Sequence, residues 1–185
     1  MVRHQVAARG IRDERVLGAL REVPREAFMR EDLAEFAYDD TALPIEAGQT
    51  ISQPYIVAVM IEALRTRPDD RVLEIGAGSG YAAAVLSRVV REVYTVERHS
   101  ELAALAAERL ECLGHHNVHV LHGDGSKGLP EHAPYEGIVV AAGGPHVPAE
   151  LREQLAVGGR LVIPIGPHPR LQHLTRVTRD RKSVV

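Results

Sequence analysis

The chain has 185 residues with 25 acidic and 22 basic side chains, so its formal net charge is −3. This length suits one domain with a sizeable core, and the slightly acidic balance gives no electrostatic reason to expect a nucleic acid as a partner. The lone cysteine, Cys112, excludes a disulfide framework and a multi-cysteine zinc site, and we expect it in the core. No apolar run approaches the roughly 20 residues that cross a bilayer, so we expect a cytoplasmic protein without a membrane partner.

The first part of the chain is predicted to be mostly helical. Residues 13–23 place apolar side chains at helical spacing, with Asp13 as a possible N-cap. An irregular amphipathic pattern follows over residues 25–38. Residues 54–65 are apolar on nearly every side and begin with Pro54, which suits the first position of a helix. A helix of this composition is expected to be packed on most of its faces.

From residue 70 onward, two kinds of segment alternate. Six short apolar runs have the length of strands, namely RVLEI, EVYTV, VHVL, GIVVAA, RLVIPI and LQHLTRV. The segments between them that are predicted to be helices are residues 80–90, 100–113 and 148–155. This alternation predicts an α/β fold with right-handed crossovers and a doubly wound, mostly parallel sheet covered on both faces. We expect residues 1–185 to form a single domain, with a helical and loop region at 1–53 and an α/β core at 54–185.

A glycine-rich turn, EIGAGSG, follows the first predicted strand and opens a helix. Gly76, Gly78 and Gly80 let the backbone approach a ligand closely, although such a turn alone is a weak signal, because tight strand–helix turns also use glycine for structural reasons. Glu97 ends the second strand about 20 residues further on, where an acid can accept hydrogen bonds from both ribose hydroxyls of an adenosine. Asp124 follows the third strand and can accept from an adenine amino group. These loops are predicted to converge on one crevice at the carboxyl ends of the strands.

The residues around this turn discriminate between two nucleotide ligands. The dinucleotide fingerprint requires a glycine at position 81, where the chain has Tyr81. Glu74, two residues before Gly76, would repel a pyrophosphate, but it suits a ligand with an ammonium and a sulfonium. The pattern therefore favours S-adenosyl-L-methionine as cofactor, with S-adenosyl-L-homocysteine as product, and we count Glu74 among its predicted contacts.

A second motif, GQTISQPY at residues 48–55, lies just before the apolar helix, and two interpretations of it remain open. Ser52 or Thr50 can simply cap the helix that starts near Pro54, as polar residues before helices usually do. The motif can instead be a loop that orients a substrate against the ligand of the glycine-rich turn, with the small hydroxyl of Ser52 as a candidate hydrogen-bond donor.

With YEGIVVAAGGPHVPAELREQL following in order, these motifs closely resemble the protein-L-isoaspartate O-methyltransferases over about residues 1–177. The resemblance implies a seven-stranded, Rossmann-like sheet of the class I S-adenosylmethionine-dependent methyltransferases with extra N-terminal helices. It implies methylation of the free α-carboxylate of isoaspartyl residues in damaged proteins, and it places Ser52 at the active-site serine. It further implies cofactor contacts for Gln49, Thr50, Ile51, Ser52, Val57, Ser79, Glu97, Arg98, Asp124 and Gly125.

Several functions stay open on these residues. The first is a monomeric repair methyltransferase that acts on isoaspartyl proteins and peptides, and the second is a related enzyme that methylates an aspartate of one dedicated peptide. The third is a non-catalytic cofactor-binding module of a larger chain. The reason to consider this third function is the ending TRDRKSVV. The family continues here into a last strand, which cannot be recognised in this sequence and whose loss would expose a sheet edge.

No metal is expected, because the histidines lack convincing ligand spacing. We expect the cluster around the third strand at the surface or partly buried; it consists of His115, His116, His119 and His122.

Overall fold

The structure is a computed structural model that describes residues 1–168 and 171–180. The α-helices of this part are α1 (Glu14–Glu22), α2 (Pro54–Leu64), α3 (Tyr81–Ser87), α4 (Ser100–Cys112) and α5 (Ala149–Glu153). The strands are β1 (Leu43–Pro44), β2 (Thr50–Ile51), β3 (Arg71–Ile75), β4 (Glu92–Glu97), β5 (Val118–His122), β6 (Tyr135–Val140), β7 (Leu155–Ile165) and β8 (His173–Thr178). Within the described ranges, the longest apolar helices are too short to cross a membrane.

The N-terminal helices form where the sequence predicts them. Asp13 caps α1 by accepting a 2.9 Å hydrogen bond from the Arg15 amide. The irregular pattern after it becomes two short 3-10 helices, at Arg25–Phe28 and Glu31–Phe36. Helix α2 begins at Pro54, as predicted.

The large sheet has the strand order β5-β4-β3-β6-β7-β8, parallel throughout except for the antiparallel pair β7–β8. The chain steps outward from β3 through β4 to β5 and then returns to place β6 on the other side of β3. This reversal opens a crevice beside the carboxyl ends of the strands, where open α/β sheets bind ligands.

The sixth predicted run is confirmed as β8, which is the outer strand among the described residues, so one edge of the sheet is exposed there. Of the ending TRDRKSVV, residues 181–185 lie outside the described residues.

The sheet is covered on both faces, but unequally. Val72 points into the larger core, which it shares with apolar residues of α1, α2, α3 and α4, whereas Leu73 points into a smaller core closed by Leu151 of α5. Phe28 from the N-terminal region is fully buried in the larger core. The N-terminal region therefore packs as part of the same core as the sheet, and this packing brings its loops to the crevice.

Two expectations about individual side chains are wrong. Cys112 is exposed, because the buried stripe of α4 runs through Leu102, Ala106 and Leu110, and the last residue of the helix falls off that stripe. His115 is 3% exposed, not superficial, and its Nδ1 lies 2.7 Å from the Ser87 hydroxyl. Burial lowers the pKa of His115, so it is a neutral core histidine with a structural role.

Candidate functional site

A cavity of about 510 Å³ lies at the carboxyl ends of the central strands. The loops that follow β3, β4, β5 and β6 form one side, and a segment before α2 forms the other. Of the fourteen residues predicted to contact the cofactor, those that line this cavity are Gln49, Thr50, Ile51, Ser52, Val57, Gly76, Gly78, Ser79, Glu97, Arg98, Asp124 and Gly125. The fold thus brings together two motifs that are separate in the sequence; whether each residue contacts a cofactor stays a prediction.

Glu97 is held in place by the backbone around it. Glu97 as a whole is 5% exposed, and its Oε2 accepts a 2.9 Å hydrogen bond from the Gly78 amide while Oε1 accepts one of 2.9 Å from the His99 amide. Gly78 has a φ of +54°, in the left-handed region that favours glycine. Each carboxylate oxygen keeps a second lone pair for a ligand hydroxyl. The acid is therefore oriented before any ligand arrives.

Asp124 begins a short turn after β5, on the same side of the cavity as Glu97. Its Oδ1 accepts hydrogen bonds from the Ser126 amide at 3.1 Å and from the Ser126 hydroxyl at 2.8 Å, and these bonds lower the pKa of Asp124. The carboxylate is exposed to the cavity as an anionic acceptor. Gly125 is required for another reason, since a Cβ there would lie 2.4 Å from Cγ2 of Ile75.

The segment before α2 contains a hairpin that the sequence analysis missed. Strands β1 and β2 pair antiparallel, and the Ile45 amide donates to the Gln49 carbonyl at 2.9 Å. Ile45 and Ile51 are buried, and a Cβ added to Gly78 would lie 3.6 Å from the Ile45 side chain. The hairpin therefore leans on the glycine turn and sets residues 49–53, which we call the Ser52 loop, along the rim of the cavity.

The helix-cap interpretation of the Ser52 loop is wrong. The N-cap residue of α2 is Gln53, and its side chain makes no cap hydrogen bond. Asp40, distant in sequence, takes the role: its Oδ1 accepts from the Tyr55 amide at 3.0 Å and its Oδ2 from the Gln53 side chain at 2.8 Å. Because Asp40 satisfies the helix start, the loop hydroxyls are not needed as caps.

Arg25 is a buried residue whose contact with the Ser52 loop the sequence analysis missed. It is 0% exposed and donates hydrogen bonds to three main-chain carbonyls, including that of Ser52 at 2.8 Å. In sequence it is one of several charged residues of an amphipathic stretch. Only the tertiary structure distinguishes it from its exposed neighbours.

Two predicted cofactor contacts do not line the cavity. Glu74 is 1% exposed within β3, where its Oε2 accepts a 2.6 Å hydrogen bond from the Thr95 hydroxyl. Burial, reinforced by the nearby charge of Glu97, raises the pKa of Glu74 to about 8. Gly80 is the N-cap residue of α3, and a Cβ there would lie 3.3 Å from Leu110, so this glycine serves the packing of α3 on α4.

Replacing Glu74 by glutamine is expected to change how stability depends on pH. The folded pKa of about 8 lies above the ordinary value of 4.5, so the free energy of unfolding of the wild type falls as pH rises between these values. The glutamine of Glu74→Gln does not titrate. The free energy of unfolding of this variant relative to the wild type should therefore rise by on the order of 3 kcal/mol between about pH 5 and about pH 8. Urea unfolding at the two pH values measures this gain. A difference independent of pH, as expected for the exposed control Glu101→Gln, would contradict it.

Metal-ligating side chains do not cluster in the described part of the chain. Over residues 1–168 and 171–180, histidine, cysteine, aspartate and glutamate form no group of three or more that could hold an ion. The polar residues that line the cavity offer carboxylates and hydroxyls together with the side chains of Gln49, Arg98 and His99, a mixture that suits hydrogen bonding to an organic ligand.

The sequence matches one protein family over residues 1–185, described as protein-L-isoaspartate(D-aspartate) O-methyltransferase (PCMT). Protein-L-isoaspartate O-methyltransferase 2 of Pelobacter propionicus is 62% identical over 180 residues, which cover 97% of this chain and 80% of that protein. Protein-L-isoaspartate O-methyltransferase 1 of Geotalea uraniireducens is 63% identical over 179 residues, which cover 97% and 82%.

Solved structures confirm the predicted fold. A protein-L-isoaspartate O-methyltransferase superposes with a TM-score of 0.87 at 34% identity, and the match covers 95% of this chain and 58% of that chain. A Plasmodium falciparum protein described as a protein-L-isoaspartate O-methyltransferase (PCMT), in complex with S-adenosyl-L-homocysteine, superposes with a TM-score of 0.83 at 24% identity. That match covers 100% of this chain and 90% of the Plasmodium chain. The sheet and its helices are thus those of the Rossmann-like class I methyltransferases.

Proposed function

Since this chain belongs to the protein-L-isoaspartate(D-aspartate) O-methyltransferase family, we propose that it transfers a methyl group from S-adenosyl-L-methionine to the free α-carboxylate of L-isoaspartyl residues in damaged proteins and peptides. The ester then cyclises to a succinimide, whose hydrolysis returns part of the residues to aspartate. The observation that carries the proposal is that one cavity contains both Glu97 and Asp124, the predicted acceptors for an adenosine, and the Ser52 loop on its rim.

The chemistry of the cavity fits the cofactor. Glu97 offers acceptors for two ribose hydroxyls, and Asp124 offers one for an adenine amino group. The volume of about 510 Å³ lies within the range of roughly 300–1,000 Å³ that is usual for small-molecule sites. We propose that the twelve predicted residues that line the cavity surround the cofactor, with Glu97 as the main polar anchor and with the Ser52 hydroxyl left free for the substrate.

The reacting carboxylate needs no base from the protein, because its pKa of about 4 leaves it ionised at neutral pH. S-adenosyl-L-methionine, when bound, supplies an electrophilic methyl group, which a carboxylate oxygen takes while the carbon–sulfur bond breaks and leaves its electron pair on sulfur. The chain has to orient the carboxylate and exclude water, and orientation can contribute several kcal/mol. We assign the orienting hydrogen bond to the Ser52 hydroxyl. A lysine or arginine there would also stabilise the ground state, which does not lower the barrier.

The accessible rim supports a protein substrate. Gln49 and Thr50 are exposed while Ser52 is half-buried, so a flexible segment of another protein can reach the loop from solvent. We propose that the chain acts as a monomer on such segments. The names of the relatives favour this function over a methyltransferase with one dedicated peptide and over a non-catalytic module.

In the test, the purified chain is incubated with S-adenosyl-L-methionine that carries a labelled methyl group. Two peptides are compared as substrates, which differ only in isoaspartate versus aspartate. We expect base-labile label on the isoaspartyl peptide alone, because a carboxyl methyl ester is hydrolysed by base. Label on the aspartyl peptide alone would favour a dedicated substrate. No transfer to either peptide, with S-adenosyl-L-homocysteine still bound in calorimetry, would contradict the proposal.

A further inference from the structure

We propose that Arg25 is a positioning residue for methyl transfer, which holds the Ser52 loop in its productive place through the Ser52 carbonyl. The proposal rests on the proposed function, because it concerns the same reaction. Arg25 itself touches neither the substrate nor the cavity; it acts through the loop that lines the cavity.

The surroundings of Arg25 are unusual for a charged side chain. Burying a guanidinium costs free energy unless its donors find acceptors. Here Nε donates to the Ala37 carbonyl at 2.8 Å, Nη1 to the Ser52 carbonyl at 2.8 Å and Nη2 to the Thr41 carbonyl at 3.2 Å. Burial lowers the pKa of Arg25, yet arginine stays protonated in proteins. The charge is thus held by carbonyl dipoles together with the nearby Asp40 carboxylate.

These carbonyls belong to segments with no regular pairing between them. Ala37 ends a short 3-10 helix, Thr41 precedes the hairpin, and Ser52 follows it. The rigid, planar fork of an arginine presents its donors in fixed directions, so one side chain sets the relative positions of all three carbonyls. Fixing the Ser52 carbonyl restricts the peptide plane, and with it the direction of the Ser52 side chain.

Arg25 also connects the loop to the cofactor side of the cavity. Its guanidinium carbon lies 5.1 Å from the ring centroid of Tyr81, within the range of a cation–π contact. Tyr81 is the first residue of α3, directly after the glycine turn, and it lines the cavity. Asp40 anchors the other end of the loop at Gln53, whereas Arg25 joins the Ser52 carbonyl to Tyr81, beside the turn that is proposed to hold the cofactor.

The test is a double-mutant cycle on the full chain with Arg25→Lys and Ser52→Ala. A lysine keeps the charge but not the three-way fork. We expect Arg25→Lys to lower kcat/KM for the isoaspartyl peptide by about tenfold and to change the dissociation constant of S-adenosyl-L-homocysteine by less than about twofold. In the Ser52→Ala background, Arg25→Lys should lower kcat/KM by less than about threefold, because the loop then has no hydroxyl to position. Arg71→Lys is the control, since Arg71 also donates to a loop carbonyl, that of His132 at 2.9 Å, but at the amino end of β3.

Hydrogen exchange separates this proposal from the proposed function. Whether or not the wild type methylates the peptide, Arg25→Lys should speed amide exchange in residues 49–53 and leave β3 and β4 unchanged. Arg25→Gln, which keeps one donor nitrogen in its side-chain amide, is the second variant if the lysine variant does not fold. Independent, multiplicative effects of Arg25→Lys and Ser52→Ala, unchanged exchange in the loop, or loss of cofactor binding in both Arg25 variants would each overturn the proposal.

Discussion

Ser52→Ala is expected to lower kcat/KM for an isoaspartyl peptide by about 10- to 100-fold, the range for losing a hydrogen bond to a charged group. The loss should fall on methyl transfer and not on cofactor binding, because Glu97 and Asp124, the proposed polar anchors of the cofactor, lie on the other side of the cavity. The fold should also be kept, since Asp40 and not Ser52 caps α2. Initial rates with the isoaspartyl peptide give kcat/KM, and calorimetry with S-adenosyl-L-homocysteine gives the dissociation constant.

Thr178→Ala is the control for Ser52→Ala. It removes an exposed hydroxyl from β8, at the outer strand of the described sheet, and should leave both quantities within about twofold of the wild type. A Ser52→Ala enzyme with wild-type kcat/KM would show that the hydroxyl does not orient the substrate. Equal losses of peptide turnover and of S-adenosyl-L-homocysteine affinity would instead make Ser52 a cofactor residue.

Glu97→Gln is expected to weaken S-adenosyl-L-homocysteine binding by about 10- to 100-fold. A glutamine amide can accept from only one of the two backbone amides that the carboxylate serves, those of Gly78 and His99, so the side chain is no longer held in one orientation for the ribose. It also loses the charge that strengthens hydrogen bonds from ribose hydroxyls. Calorimetric titration measures the dissociation constant directly.

The matched control for Glu97→Gln is Glu101→Gln. Glu101 lies in the first turn of α4, is exposed, and carries the same charge a short distance along the chain. It should bind S-adenosyl-L-homocysteine as the wild type does, which separates the loss of a specific acceptor from the loss of one negative charge near the cavity. If Glu97→Gln binds within about twofold of the wild type, the ribose assignment is wrong.

The order of elements was readable from the sequence, because it depends on local periodicity and turn chemistry. Asp13 caps α1 and Pro54 starts α2 as predicted, and the six apolar runs became strands. The central strands β3, β4 and β6 are apolar along most of their length because they are buried on both faces. The hairpin β1–β2 was missed because two-residue strands carry no periodic signal. The antiparallel direction of β8 depends on its partner β7, which the composition of the run does not reveal.

The chemistry of the candidate site divides in the same way. The sequence by itself determined which groups lie at the carboxyl ends of the strands, because Glu97 and Asp124 follow strands and parallel strands end at one edge. Only the tertiary structure decided that Glu74 is buried away from the cavity and that Arg25 and Asp40 hold the Ser52 loop. Burial and long-range hydrogen bonds depend on which distant segments pack together, and no local pattern of residues encodes that.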